Sequence, residues 1–165
     1  MNRTKLCIVG ACGRLGKSII QESVDNFEIV GAVEHSSSNF LDKSLEDLGI
    51  IDSDIKITSS SNLSSAISNA DVVISATIPD SEIINAPVYV QNNKKVIIGT
   101  TGFSDKQYSQ LVSILDKNIP SIITSNSDLL RFPCLLRSKT RFSYPLDSEI
   151  ILAIDNAVPL GESIF

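Results

Sequence analysis

Lys5-Leu6-Cys7-Ile8-Val9-Gly10-Ala11-Cys12-Gly13-Arg14-Leu15-Gly16-Lys17 decides the reading of this chain. A short apolar run ends in three glycines spaced by three, and a helical pattern follows. The run reads as a buried strand, the glycines as a turn, and Leu15, Ile19, Ile20 and Val24 as the apolar side of a helix over Arg14 to Asp25. This is how a dinucleotide-binding βαβ unit begins. The usual fingerprint is G-x-G-x-x-G. Here Cys12 stands at its middle glycine, so the pattern is Gly10-x-x-Gly13-x-x-Gly16. Gly10 suits the tight turn, Gly13 lets backbone approach phosphate, and Gly16 lets the helix pack closely on the strand. The first N–H groups of that helix, with its positive dipole end, would face a pyrophosphate. The alternative is a glycine-rich turn without a ligand.

Working outward, Phe27 to Val33 reads as a second strand, with Glu34 at its carboxyl end. In a dinucleotide fold such an acid accepts hydrogen bonds from the adenosine ribose and repels a 2′-phosphate, so NAD(H) is favoured and NADP(H) is the second candidate. His35 beside it would offset that repulsion when protonated. The alternative for Glu34 is a solvated carboxylate. Ser36 to Ser53 reads as a polar loop with one helical turn, Ile55-Lys56-Ile57 as a short strand, and Asn62 to Asn69 as a short helix. Asp71 to Thr77 is a strong buried strand ended by Ile78-Pro79-Asp80. A helix capped by Asp80 or Ser81 then runs to about Asn92, its start broken or shifted by Pro87. Val96 to Ile98 is a strand running into Gly99-Thr100-Thr101-Gly102-Phe103. Ser104 caps a helix to Leu115, and Ile119 to Ile123 is the last strand, leading to Thr124-Ser125-Asn126.

Strands alternating with helices at this spacing predict an α/β fold, a Rossmann-like, doubly wound and mostly parallel sheet. Ligands in such sheets sit outside the carboxyl ends of the strands. Gly10–Gly16, Glu34, Thr77 with Pro79, Gly99–Thr101 and Thr124–Asn126 all fall there, which predicts a cofactor cleft.

Composition sets further limits. The chain has 165 residues, 42% hydrophobic and 20% charged, which fits one ordinary globular domain and at most part of a second. A net charge of −5 without a basic stripe argues against nucleic acid as partner. Three cysteines, Cys7, Cys12 and Cys134, form no C-x-x-C pair, so no zinc site or disulfide framework is expected. Cys12 suggests either a thiol activated by a helix N-terminus or a small residue filling a turn. No signal peptide and no long apolar run are apparent, so a cytoplasmic location without membrane contact is expected.

These motifs resemble the 4-hydroxy-tetrahydrodipicolinate reductase (dihydrodipicolinate reductase) family of diaminopimelate and lysine biosynthesis. Val9-Gly10-Ala11-Cys12-Gly13-Arg14-Leu15-Gly16 is close to its G-A-x-G-R-M-G. Ala32-Val33-Glu34 matches its strand-end acid, and Val96-Ile97-Ile98-Gly99-Thr100-Thr101-Gly102-Phe103 is nearly its V-I-G-T-T-G-F. Ser125-Asn126 is similar to the start of a further segment. The resemblance covers residues 5 to about 126. It implies that NAD(P)H binds across Gly10, Ala11, Cys12, Gly13, Arg14 and Leu15, with Glu34, Gly99, Thr100, Thr101, Thr124, Ser125, Asn126 and Ser127. Hydride would pass to a cyclic imine dicarboxylate, and the assembly would be homo-oligomeric.

The sequence departs from the family in places. Ser75-Ala76 replaces Asp-Phe, and Ser127-Asp128 replaces Phe-Ser after Asn126. In the family's His-His-x-x-x-Lys run, Ile154 and Asp155 occupy the histidine positions and Val158 the lysine. Arg131, Arg137, Lys139 and Arg141 show no clamp-like spacing. The expected organisation is therefore a dinucleotide-binding domain over 1–126 and a remnant of a second α+β substrate domain over 127–165, truncated or divergent, with no catalytic or metal-ligating residue assigned. Three readings follow: a reductase of this family, a non-catalytic NAD(P)-binding module, or a truncated gene product.

Overall fold

The computed structural model describes residues 3–115 and 118–123. Thr124, Ser125, Asn126, Ser127 and the expected second region over 127–165 lie outside the described residues. Six strands form one sheet in the order β3-β2-β1-β4-β5-β6, every pairing parallel. They are β1 (Lys5–Val9), β2 (Glu28–Glu34), β3 (Ile57–Ser59), β4 (Val72–Ser75), β5 (Lys95–Ile98) and β6 (Ser121–Ile123). The helices are α1 (Arg14–Ser23), α2 (Leu63–Ile67), α3 (Pro79–Gln91) and α4 (Asp105–Leu115). The strand order reverses at β1, so a crevice opens between the carboxyl ends of β1 and β4.

The strands read as near-continuous apolar runs because both faces are covered. Their alternation sorts side chains into two cores. Leu6, Ile8, Val72, Ile74 and Ile97 face Ile19 and Ile20 of α1. Cys7, Val9, Val73, Val96 and Ile98 face Leu63 and Ile67 of α2, Ala86 and Tyr89 of α3, and Leu111 and Leu115 of α4. The Cys7 thiol is fully buried, and that burial pushes it up to about 12, as expected of a small core residue. The start of α4 is a capping box: the Ser104 hydroxyl accepts from the Gln107 amide at 3.3 Å, and the Gln107 side chain accepts from the Ser104 amide at 3.0 Å.

Two local expectations are corrected. The third strand pairs with β2 over Ile57–Ser59, not Ile55–Ile57; Ile55 is bonded only to the preceding segment, while Ile57 is bonded to that segment and also pairs with Ala32. Ile55 accepts from the Leu45 amide at 2.9 Å, Ile57 accepts from Asp42 at 3.0 Å, and Ile57 donates to Lys43 at 2.8 Å. The same bonds fold 36–56 back as a set of turns, with the expected single helical turn where the Leu48 amide donates to the Ser44 carbonyl at 3.2 Å, and its Leu45 and Ile50 are buried in the first core. Finally, α3 begins at Pro79, with Ile78 at its cap position and no side-chain cap, and it runs straight through Pro87. Pro79 needs no N–H at the first helical position and its φ is preset for it, so the helix starts earlier than a polar cap at Asp80 or Ser81 would place it. Glu82, Asn85, Ala86 and Tyr89 are buried along the sheet-facing side, and this burial offsets the cost of the internal proline.

The tightest backbone contact lies where α1 meets β1. A Cβ on Gly16 would overlap the Gly10 carbonyl oxygen and come within 2.9 Å of the Ala11 Cα. Two effects of opposite sign meet in Gly16→Ala: helix propensity favours alanine by about 1 kcal/mol, and the clash opposes it. The clash is with backbone and cannot be relieved by a rotamer change. Gly16→Ala is expected to destabilise the protein by about 2 kcal/mol or more in denaturant unfolding; an unchanged or raised midpoint would show that the helix sits farther from the strand.

Candidate functional site: a cleft at the carboxyl ends of the strands

The turn after β1 is built by its glycines. Gly10 has φ +80°, and a side chain there would run into the Ala76 carbonyl. The Gly10 and Ala11 amides both donate to the Val33 carbonyl, at 2.9 and 3.1 Å, which ties the turn to the end of β2. Gly13 is different. The nearest atom to a Cβ there is the Gly10 carbonyl oxygen at 3.4 Å, an ordinary contact. Packing does not demand glycine at this position; instead, Gly13 lies on the floor of the cleft, where its missing side chain leaves room for a ligand. It also caps α1, whose next N–H groups belong to Arg14, Leu15 and Gly16.

Two hollows flank this turn and share Gly13, Ala76, Thr77 and Ile78. One, of about 530 Å³, reaches past Gly10 to Glu34, His35 and Ser36 after β2, and to Ser60, Ser61, Ile84 and Asn85. The other, of about 600 Å³, runs past Arg14, Leu15 and Ser18 to Pro79, Gly99 and Thr101. Together they make a trough across the strand ends, with the α1 N-terminus at its middle.

Of the residues expected there from sequence, Gly10, Gly13, Arg14, Leu15, Glu34, Thr77, Gly99 and Thr101 line the trough. Ala11 is wholly buried and Thr100 is 3% exposed, its side chain turned inward. Cys12 is half-buried, and its amide donates to Glu34 Oε2 at 3.0 Å. Burial and the nearby Glu34 carboxylate push its thiol up to about 11. The activated-thiol alternative is therefore set aside, and Cys12 is a small side chain filling the turn. The other Glu34 oxygen accepts from the His35 amide at 2.9 Å. Both oxygens keep lone pairs for a further donor. His35 Nδ1 lies 2.8 Å from Ser37 Oγ and 3.3 Å from the Ser37 amide nitrogen.

Sequence reasoning missed one acid. Glu82, on the first turns of α3, is wholly buried. Its Oε2 accepts from Ser75 Oγ at 2.7 Å, Thr77 Oγ1 at 2.7 Å and Thr100 Oγ1 at 2.9 Å. Tyr89 O–H donates to Ser75 Oγ at 3.3 Å and extends the chain of bonds. Glu82 Oε1 has no partner among the described residues. Burial raises the Glu82 carboxyl above its ordinary range, against three hydroxyl donors that favour the ionised form. Burial also raises the Tyr89 phenol, and the Glu82 charge adds to it. Its place three residues after the Pro79 helix start is one that a solvated glutamate also takes, so no local signal marks it. Among the described residues, no group of three or more His, Cys, Asp or Glu could hold a metal, and no helix is long and apolar enough to cross a membrane.

With this geometry in hand, comparison with known proteins is specific. The chain matches the family model described as dihydrodipicolinate reductase, N-terminus, over residues 4–127. It is 33% identical to 4-hydroxy-tetrahydrodipicolinate reductase of Colwellia psychrerythraea over 129 residues, covering 77% of this chain and 47% of that protein. It is 29% identical to the enzyme of the same name from Bacillus subtilis over 150 residues, 89% of this chain and 55% of that protein. The chain thus spans about half the length of the curated relatives it matches. Among solved structures, it is similar to dipicolinate-bound dihydrodipicolinate reductase from Paenisporosarcina sp. TG-14. That match has 26% identity and a TM-score of 0.56, and covers 75% of this chain and 47% of that one. A myo-inositol 2-dehydrogenase from Lactobacillus plantarum shares the fold, with 18% identity, a TM-score of 0.57, and coverage of 75% of this chain and 36% of that one.

The raised Glu82 carboxyl has a pH signature. A neutral Glu82 stabilises the fold fully below the ordinary glutamate value of 4.5. That contribution is lost as pH rises toward and through the raised folded value. Glu82→Gln is neutral at every pH. The midpoint of wild type minus that of Glu82→Gln is therefore expected to fall as thermal unfolding is followed from pH 4 to pH 8; a difference that stays constant would mean that the carboxyl titrates normally, and one that rises would mean that its value is lowered by folding.

Proposed function

The chain belongs to the family described as dihydrodipicolinate reductase, N-terminus, and from that premise we propose that it holds NAD(P)H for reduction of a cyclic imine dicarboxylate, the reaction of a 4-hydroxy-tetrahydrodipicolinate reductase. The observation that carries the cofactor half is Gly13: an open Cβ position on the cleft floor, at the cap of α1, between two hollows. A dinucleotide laid across it would set its pyrophosphate against the amides of Arg14 and Leu15, the Gly13 amide being held by the Gly10 carbonyl at 3.2 Å. Its adenosine ribose would meet Glu34, whose carboxylate oxygens accept the ribose hydroxyls beside their bonds from Cys12 and His35. Its nicotinamide end would reach the wall made by Gly99 and Thr101.

When bound, the reduced nicotinamide supplies the hydride. The described residues would hold and orient the cofactor and shield its pyrophosphate from water. The ribose contacts of Glu34 favour NADH, and the 2′-phosphate of NADPH meets a like charge there. A dianionic imine also needs cationic partners and a proton donor. Ile154, Asp155 and Val158, at positions where the family carries His, His and Lys, favour a second reading: an NAD(P)-binding module without turnover of its own.

Calorimetry and an enzymatic assay separate the two. Both readings predict binding of NADH, with NADPH weaker; only the first predicts oxidation of NADH that depends on added substrate. Protein that binds neither dinucleotide would contradict both. Glu34→Gln, which removes the charge and keeps an acceptor, is expected to tighten NADPH about fivefold relative to NADH; an unchanged ratio would mean that Glu34 does not face the ribose.

A further inference from the structure

Beyond Ser75 and Ile98 the backbone ladder between β4 and β5 stops, yet the two strand ends stay together. The last backbone link is the Gly99 amide donating to the Ser75 carbonyl at 2.8 Å. After it, side chains take over. The Thr77 amide donates to Thr100 Oγ1 at 3.1 Å, and both threonine hydroxyls donate to the same oxygen of Glu82. One carboxyl oxygen on α3 thus gathers Ser75, Thr77 and Thr100 from two strand ends.

The direction of these bonds decides what the cleft presents. Because Thr77 Oγ1 points to Glu82, its Cγ2 methyl faces the glycine turn, 3.3 Å from where a Gly10 Cβ would stand. Because Thr100 is drawn inward, its neighbours Gly99 and Thr101 line the trough. Thr77 lines both hollows. We propose that Glu82 is a positioning residue for the dinucleotide cleft, its buried carboxyl acting as the shared acceptor that fixes Thr77 and Thr100 and thereby sets the wall opposite the α1 N-terminus. It touches no ligand itself; it acts through the two threonines. The role in binding rests on the proposed function, while the clamp is a property of the free protein.

Two readouts test the two halves. In ligand-free protein, Glu82→Met removes the acceptor at similar size and is expected to speed amide exchange at Thr77 at least tenfold, because the donor's partner, Thr100 Oγ1, is no longer held. In the same protein NADH affinity should weaken about tenfold, the scale of one misplaced hydrogen-bonding wall. Glu82→Gln, which keeps an acceptor oxygen, should restore both to within about twofold of wild type. Ile67→Ala, a core truncation in α2 that lines neither hollow, should lower stability and move neither readout. Should Glu82→Met fail to fold, Thr100→Val cuts the same bridge from the β5 side and is judged by the same two numbers. Wild-type exchange and affinity in Glu82→Met, or losses in Glu82→Gln or Ile67→Ala equal to those in Glu82→Met, would overturn the proposal. Wild-type protein that binds neither dinucleotide would remove the proposed function and the binding role of Glu82 together, and the clamp would still stand or fall on Thr77 exchange.

Discussion

Three stretches of main chain meet at Gly10 with no side chain between them. Gly10 takes a positive φ and passes the Ala76 carbonyl so closely that a Cβ would collide with it, and Gly16 brings α1 onto the Gly10 carbonyl in the same way. Everything the site does depends on this contact. It aims the start of α1 at the crevice between β1 and β4, and it carries the turn close enough to β2 for Val33 to accept both the Gly10 and Ala11 amides. The bond from the Cys12 amide to Glu34 follows from the same closeness. A side chain at either glycine would lift the helix, and the positive end of its dipole would no longer meet the cleft floor.

The sheet was legible because its strands are buried on both faces and so appear as unbroken apolar runs between turn residues, as in Asp71–Thr77 and Val96–Ile98. The glycine turn, Glu34, Thr77 and Gly99–Thr101 were legible because each sits at a strand's carboxyl end, where the topology itself puts ligands. What was hidden depends on contacts distant in sequence. Ile55 alternates like a strand residue, but its carbonyl is taken by Leu45, so pairing with β2 begins only at Ile57. Pro87 reads locally as a helix breaker, yet α3 continues because the residues before and after it are buried against the sheet. Glu82 gave the least warning. Nothing local distinguishes it from a solvated glutamate on an amphipathic helix; only the convergence of Ser75, Thr77 and Thr100 from two strands makes it a buried acceptor.

The sequence departure at Ser75-Ala76 gains a physical meaning from that convergence. The serine at the end of β4 brings no charge of its own, but its hydroxyl hands a hydrogen bond to the Glu82 carboxyl arriving from α3. The strand end is thus organised around a carboxyl group supplied by a helix. The described residues thus place a backbone floor between Glu34 at one end of the trough and the Gly99–Thr101 wall at the other. The family model matches residues 4–127, and the chain spans about half the length of its curated relatives.

The most direct measurement of the central claim is a crystal structure of the protein grown with NADH. The account predicts the pyrophosphate within hydrogen-bond distance of the amides of Arg14 or Leu15, the adenosine ribose on Glu34, and the nicotinamide against Gly99–Thr101. A dinucleotide bound elsewhere, or lying in the trough with its pyrophosphate away from the α1 N-terminus, would contradict it.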